Sequence, residues 1–133
     1  MTYDSLSRLT SKKDKRGNIT RYRYTGNNPK PSEVEDARGN ITRYTYDTMR
    51  RKLSETDARG NTITWTYDRI GRKLKETDKR GNETNYTYSS RGTVTSIKDR
   101  EDNISTFTYD NVGNILSGTD AENNTLTYEY DRN

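Results

Sequence analysis

The side chains of this sequence that could do chemistry are its carboxylates and its aromatic rings. It has 20 Asp and Glu against 24 Lys and Arg, and neither His nor Cys. That excludes a His general base, a Ser-His-Asp or Cys-His nucleophile, a disulfide framework and a His/Cys zinc site. Two carboxylates flanking a sugar could hydrolyse a glycosidic bond, but the spacing singles out no pair. Carboxylates that converge on one point could hold calcium. A column of six Asp recurs along the chain: Asp14, Asp36, Asp57, Asp78, Asp99 and Asp120. Four of the six are followed by Lys15-Arg16, Ala37-Arg38, Ala58-Arg59 or Lys79-Arg80, which oppose a cation. The calcium candidates therefore reduce to Asp99, Glu101, Asp102 and Asp110. No catalytic residue and no cofactor is expected. The Asp column reads instead as side chains that cap their own turns.

Those Asp residues belong to a repeat. Its copies open at Tyr3, Tyr24, Tyr46, Tyr67, Tyr88 and Tyr109, spaced by 21 residues with one spacing of 22, and a seventh opens at Tyr130. The 133 residues then divide as 3–23, 24–45, 46–66, 67–87, 88–108 and 109–129, with 130–133 starting the next copy. Nineteen residues after each opening Tyr, or 20 in the copy with the insertion, stands another aromatic: Tyr22, Tyr44, Trp65, Tyr86, Phe107 and Tyr128. The second column thus accompanies Tyr24, Tyr46, Tyr67, Tyr88, Tyr109 and Tyr130 of the first, and all 13 aromatic residues fall in the two. Hydrophobic content of 26% and a mean hydropathy of -1.38 border on the disordered class, but a disordered chain has no reason to align its rings.

Each copy predicts two strands and two turns. Asn40-Ile41-Thr42-Arg43-Tyr44-Thr45-Tyr46 alternates with period two and puts its rings on one face. The other face carries Arg21, Arg23, Arg43, Thr64, Thr66, Thr87, Thr106 and Thr127 and meets water. Before this strand stands Asp-x-x-Gly: Asp14 to Gly17, Asp36 to Gly39, Asp57 to Gly60 and Asp78 to Gly81, with Asp102 and Asn123 replacing Gly in the last two copies. Asp first and a left-handed residue fourth predicts a type I turn closing a hairpin. A second such turn follows the opening Tyr, complete at Asp68–Gly71 and Asp110–Gly113 and weaker at Asp4–Ser7 and Asp47–Arg50. Turns every 10 or 11 residues leave strands of about six residues, ~20 Å long. The fold class is all-β: antiparallel strand-turn-strand repeats in a curved or spiralling sheet.

The turn sets the register. With Asp57 opposite Asn61, Leu53 faces Trp65, Leu74 faces Tyr86 and Leu116 faces Tyr128, while Arg51 meets Tyr67 and Arg72 meets Tyr88. A period of 21 is odd and strand alternation is even, so each repeat must drop one residue of phase in a bulge. The shifting apolar position (Leu9 and Val94 against Leu53 and Leu74) locates it in the first strand. Aliphatics are few, so the rings form the core, and Trp65→Ala or Tyr67→Ala would cost ~3–5 kcal/mol. In the second copy Thr25-Gly26-Asn27-Asn28-Pro29-Lys30-Pro31 replaces the turn, which predicts a bulged loop or a local edge.

The run Tyr67-Asp68-Arg69-Ile70-Gly71-Arg72, followed by Thr77-Asp78-Lys79-Arg80-Gly81-Asn82 and closing on Tyr86 and Tyr88, resembles the YD repeat of the Rhs family. The likeness covers essentially the whole chain. That family takes in bacterial Rhs polymorphic toxins, the B and C subunits of insecticidal toxin complexes, wall-associated proteins and teneurins. The resemblance implies a sheet that spirals into a hollow shell, which in toxin members holds a C-terminal toxin, and a secreted or cell-surface setting. This sequence shows six repeats, no proline- and glycine-containing self-cleavage segment and no variable tail after Asn133. The expectation for it is a non-enzymatic scaffold: part of a shell wall, or the protomer of an extracellular filament. The alternative is a module whose face binds a glycan or a cell surface.

Charge bears on partners. Residues 1–66 carry 14 basic and 8 acidic groups, or +6, and residues 67–133 carry 10 and 12, or -2. No stretch approaches the ~18 apolar residues of a membrane span, and a net charge of +4 does not by itself imply nucleic acid. The expected partners are flanking repeats of a larger chain, or further copies of this chain joined end to end by strand pairing, with a glycan the other possibility.

Overall fold

Thr, Tyr and Ile fill the predicted strand positions, and a computed structural model describing residues 1–130 folds most of them into β-strands, with Tyr24, Tyr128 and Tyr130 just past strand ends. Two compact units divide the chain, Met1–Trp65 and Thr66–Asn133. The first unit holds β1 (Thr2–Tyr3), β2 (Leu9–Lys13), β3 (Ile19–Arg23), β4 (Glu33–Glu35), β5 (Ile41–Tyr46), β6 (Lys52–Thr56) and most of β7 (Thr62–Tyr67). The second holds β8 (Lys73–Thr77), β9 (Glu83–Tyr88), β10 (Val94–Lys98), β11 (Ile104–Tyr109), β12 (Ile115–Thr119) and β13 (Thr125–Thr127). Asp131 to Asn133 of the seventh repeat lie outside the described residues. Within each unit every strand pairs antiparallel with its sequence neighbour, as short hairpin turns require.

The register is that of the Asp-to-Asn turn. Ser54 pairs with Thr64 and Thr56 with Thr62, so the same diagonal carries Leu53 opposite Trp65. Lys75 pairs with Asn85, which carries Leu74 opposite Tyr86. At β12 the amide of Tyr128 donates to the Leu116 carbonyl at 2.9 Å. The slip of phase also falls in the first strand of the repeat. Thr2 and Tyr3 pair with Ser11 and Leu9, and Thr45 and Tyr46 with Ser54 and Lys52, so Thr10 and Leu53 are the extra residues. In the second unit Thr87 and Tyr88 pair with Ser96 and Val94, and Thr108 and Tyr109 with Ser117 and Ile115, leaving Thr95 and Leu116 extra.

The expectation of a ring-filled interior is corrected. No described residue is fully buried. Tyr22, Tyr24, Tyr44, Tyr46, Trp65, Tyr67, Tyr86, Tyr88, Phe107 and Tyr109 are half-buried, while Tyr3, Tyr128 and Tyr130 are exposed. The reason is architectural: within each unit the strands form a meander with no helix among the described residues and no second layer packed on it. A ring then loses water only to its neighbours on the same face. The cost of Trp65→Ala accordingly falls to about 2 kcal/mol, because the transfer term scales with area removed from water.

The proline-containing segment is a loop between β3 and β4, closed by the Ser32 amide donating to the Arg23 carbonyl at 2.8 Å. It does not create an edge. β4 pairs with β3 on one side and β5 on the other. On the water face those strands carry a charge ladder that the sequence reading missed: Arg21 to Glu35 at 3.1 Å, Arg23 to Glu33 and Glu35 at 3.2 and 2.9 Å, and Arg43 to Glu33 at 2.9 Å. Glu33 and Glu35 recur in no other copy, so the periodic pattern hid them.

The fourth turn position sits in the left-handed region throughout, with φ of 85° at Gly81, 62° at Arg50 and 61° at Ser7. A Cβ on Gly81 would meet nothing within 4 Å, so only backbone strain penalises a side chain there. Urea unfolding should show Gly81→Val losing ~1–2 kcal/mol and Gly81→Asn far less. Arg50→Gly should gain about 0.5–1 kcal/mol. Equal effects of Val and Asn at residue 81 would contradict the turn assignment.

Candidate functional site

The turn between the two strands of each repeat begins with an acid that consumes its own acceptors. In the Asp78 turn Oδ1 accepts from the amides of Arg80 and Asn82 at 2.7 and 2.9 Å, and Oδ2 accepts from the Asn82 side-chain amide at 2.8 Å. The Gly81 amide donates to the Asp78 carbonyl, closing the turn. Asp14, Asp36, Asp57, Asp99 and Asp120 repeat this with Asn18, Asn40, Asn61, Asn103 and Asn124. Gly17, Gly39 and Gly60, with Asp102 and Asn123, hold the left-handed position in those turns. The side-chain amide of the Asn chiefly holds the carboxyls of Asp14, Asp36, Asp78, Asp99 and Asp120 below their ordinary 3.8, against a smaller cost of desolvation.

In repeats one, three and four the turn after the opening Tyr uses the same frame with an arginine as the donor. Arg8 Nε donates to Asp4 Oδ2 at 2.7 Å, and Arg51 and Arg72 do so to Asp47 and Asp68. The Asp4 and Asp47 turns are therefore complete despite Ser7 and Arg50 in the left-handed position. The sequence reading missed the turn at Ser89–Gly92, where a hydroxyl replaces the carboxylate and bonds Thr93 Oγ1 at 2.8 Å.

This accounts for the calcium candidates, which the structure does not bring together. Asp99 and Asp110 are each occupied by three donors of their own turns. Asp102 pairs with Lys98 at 2.7 Å and Glu101 with Arg100 at 3.1 Å. Among the described residues no three such side chains form a metal-binding group.

Tyr24, Tyr46, Tyr88, Tyr109 and Tyr130 of the opening column share a contact that the other aromatic column lacks. Tyr24 donates its hydroxyl to the Leu9 carbonyl at 2.8 Å, Tyr46 to Pro31 at 3.1 Å, Tyr88 to Lys73 at 2.7 Å, Tyr109 to Val94 at 2.8 Å and Tyr130 to Ile115 at 2.9 Å. Each bond reaches back 15 residues into the preceding repeat, and at Leu9, Val94 and Ile115 the acceptor flanks the bulge. The ladder from the bulged strand to the next ends short of that residue: Ser96 pairs with Thr106, and Val94 lies beyond it. The signal was in the sequence. The first column is Tyr without exception, whereas the second admits Trp65 and Phe107, which have no hydroxyl.

Cations cover several rings. Arg8 and Arg72 lie 4.5 and 4.8 Å from the centroids of Tyr24 and Tyr88. Lys52 stands over Tyr44 and Trp65 at 4.7 and 5.5 Å, and Lys73 over Tyr86 at 4.7 Å. The side-chain bond to Glu76 is the main reason that the Lys73 ammonium is held above its ordinary value. Exposed cation–π contacts contribute ~0.5–1 kcal/mol apiece. They also occupy ring faces on which a sugar or base would stack.

Comparison with known proteins agrees with this geometry. The RHS Repeat family matches residues 30–62 and 52–83. No curated protein matches the chain. Among solved structures, the crystal structure of TcdB2-TccC3-Cdc42 is 23% identical with a TM-score of 0.66, over 77% of this chain and 5% of that one. That of TcdB2-TccC3 without its hypervariable C-terminal region is 24% identical with a TM-score of 0.65, over 77% and 5%. The Photorhabdus luminescens Tc holotoxin pore is 19% identical with a TM-score of 0.68, over 86% and 7%. At such identities the likeness is one of fold, and this chain spans only 5 to 7% of those chains.

Two outcomes follow. Tyr24→Phe strands the Leu9 carbonyl and should cost about 1 kcal/mol in chemical denaturation, whereas Tyr22→Phe should cost a few tenths. Matching losses would remove the hydroxyl from the account. For pH, a carboxyl whose folded value is depressed adds stability that is complete above its ordinary value and is lost as pH falls through the folded one. With no His, circular dichroism should be flat between about pH 5 and 8 and collapse only below 3.8. Loss beginning near neutral pH would contradict the turn assignment.

Proposed function

We propose that this chain, which carries RHS repeats, is a non-enzymatic structural scaffold: a length of β-wall continued by flanking repeats. The observation that carries this is the hydroxyl bond that Tyr24, Tyr46, Tyr88, Tyr109 and Tyr130 each send back into the preceding repeat. It ties a repeat only to its sequence neighbour, so length can be added without redesigning any copy. The self-satisfied turns and the cations over the rings support the same reading, since they spend polar and aromatic groups inward.

In finer terms the wall is part of a shell, as the family resemblance implies, and its setting is secreted or cell-surface. End-to-end growth into a filament is the alternative use of the same edges. Both rest on strands completed by other strands, as open edges favour.

The test is to append one and then two further copies of residues 67–87 to the chain and measure stability and sedimentation. A scaffold gains stability with each added repeat, because every copy contributes one more interface. Stability that stays constant as repeats are added would overturn the reading and favour a self-contained binding module. Association rising with concentration in the parent chain would distinguish filament from shell segment.

A further inference from the structure

We propose that the cavity beside Tyr109 in the second unit is a vacated arginine seat, and that it binds a guanidinium group supplied from outside the repeat. Repeats one and four display the seat when filled. There the arginine five residues after the opening Tyr lays its guanidinium on the next opening ring: Arg8 on Tyr24 at 4.5 Å and Arg72 on Tyr88 at 4.8 Å. Its Nε donates to the turn carboxylate, Asp4 or Asp68, and its Nη1 to a carbonyl of the next turn, Gly26 at 2.7 Å or Ser89 at 3.0 Å. One plane, one anion and one carbonyl thus specify a flat cation with several N–H groups.

Repeats two, five and six lack the arginine; repeat six puts Asn114 in its place, and the other two take different courses. Repeat two lacks it, and its loop supplies Lys30, whose Nζ lies 5.7 Å from the Tyr46 centroid and donates to the Arg50 carbonyl at 2.9 Å. Repeat five lays no cation on the ring. Ser89 stands in the place of the acid and Thr93 in the place of the arginine, and their hydroxyls bond each other at 2.8 Å. These short side chains leave an open cavity of about 500 Å³ lined by Ser89, Arg91, Thr93, Phe107, Tyr109 and Asp110. That is the size of a small-ligand pocket. Among the described residues no cation lies over the Tyr109 ring.

The charge around it fits the same occupant. The seat's own acid is replaced by Ser89, and the anion lining the cavity is Asp110 of the following turn, whose carboxylate accepts only from the amides of Val112 and Asn114 among the described residues. Arg91 lines the cavity and opposes a cation, and its Nη1 takes the Asn111 carbonyl of the next turn at 2.7 Å, so an added guanidinium must share that carbonyl and rely on the free Tyr109 face and Asp110. The hydroxyl of Tyr109 is held by Val94, which fixes the ring in position. This inference stands apart from the scaffold reading, since a wall segment with or without a ligand keeps the same repeats.

The test follows the Tyr109 ring by NMR during titration of the whole chain with N-acetyl-arginine amide, methylguanidinium and the uncharged isostere N-acetyl-citrulline amide. The two guanidinium probes should shift that ring with Kd in the millimolar range, and citrulline should bind at least about tenfold more weakly. A tighter Kd for capped arginine than for methylguanidinium assigns the seat to a polypeptide side chain, and the reverse assigns it to a small cation. The double variant Ser89→Asp/Thr93→Arg copies repeat four, so it should fold, raise Tm and abolish the response. Arg72→Thr should make the Tyr88 ring respond as well. No shift of Tyr109 with either cation, an equal shift with citrulline, or a response that survives in the double variant would overturn the proposal.

Discussion

The rest of the structure depends on one constraint, the conflict between a 21-residue period and the two-residue period of a strand. An array that kept its rings on one face without correction would turn them over at every copy. The bulge removes one residue of phase per repeat, at Thr10, Leu53, Thr95 and Leu116. It also leaves a carbonyl next to it beyond the end of the inner ladder. The hydroxyl of the following repeat's opening Tyr takes that carbonyl, so the correction in one copy is sealed by the next. Phase and cohesion are the same interaction.

That arrangement explains how a chain with 26% hydrophobic residues holds a defined sheet without a buried core. Stability is spread over many small, local terms: a carboxylate satisfied three times in each Asp turn, a ring covered by a cation, a carbonyl met by a hydroxyl. None is large, and each is repeated. The acids that looked available for calcium are spent in this way, as Asp99 and Asp110 show. The departures from the pattern become the informative places. Repeat two turns its lost arginine into a loop that brings Lys30 to the ring, and repeat five leaves the space open.

Much of this was legible in the sequence because it is periodic. Strand positions, the Asp-to-Gly turns, the facing of Leu116 and Tyr128 and the place of the phase slip all follow from columns of residue types. The interior was misread. Alternation tells which side chains share a face, but not whether a second layer covers that face, and here none does within either unit. The Glu33 and Glu35 ladder and the Ser89 turn escaped because each occurs once. The hydroxyl bond was visible only as a difference between two aromatic columns, one strictly Tyr and one not. Its acceptor is a backbone group, on which sequence is silent.

The most direct test of the central claim is isotope-edited infrared spectroscopy of the carbonyl itself. Valine labelled with 13C at the carbonyl marks Val94 together with only Val34 and Val112, and the difference between the parent chain and Tyr109→Phe isolates the bond from Tyr109. If the hydroxyl seals the bulge, the Val94 band moves to higher frequency in the variant as the carbonyl loses its donor, while the other two valine bands stay in place. An unchanged Val94 band would show that the bulge is satisfied without the tyrosine, and the link between phase and cohesion would be wrong.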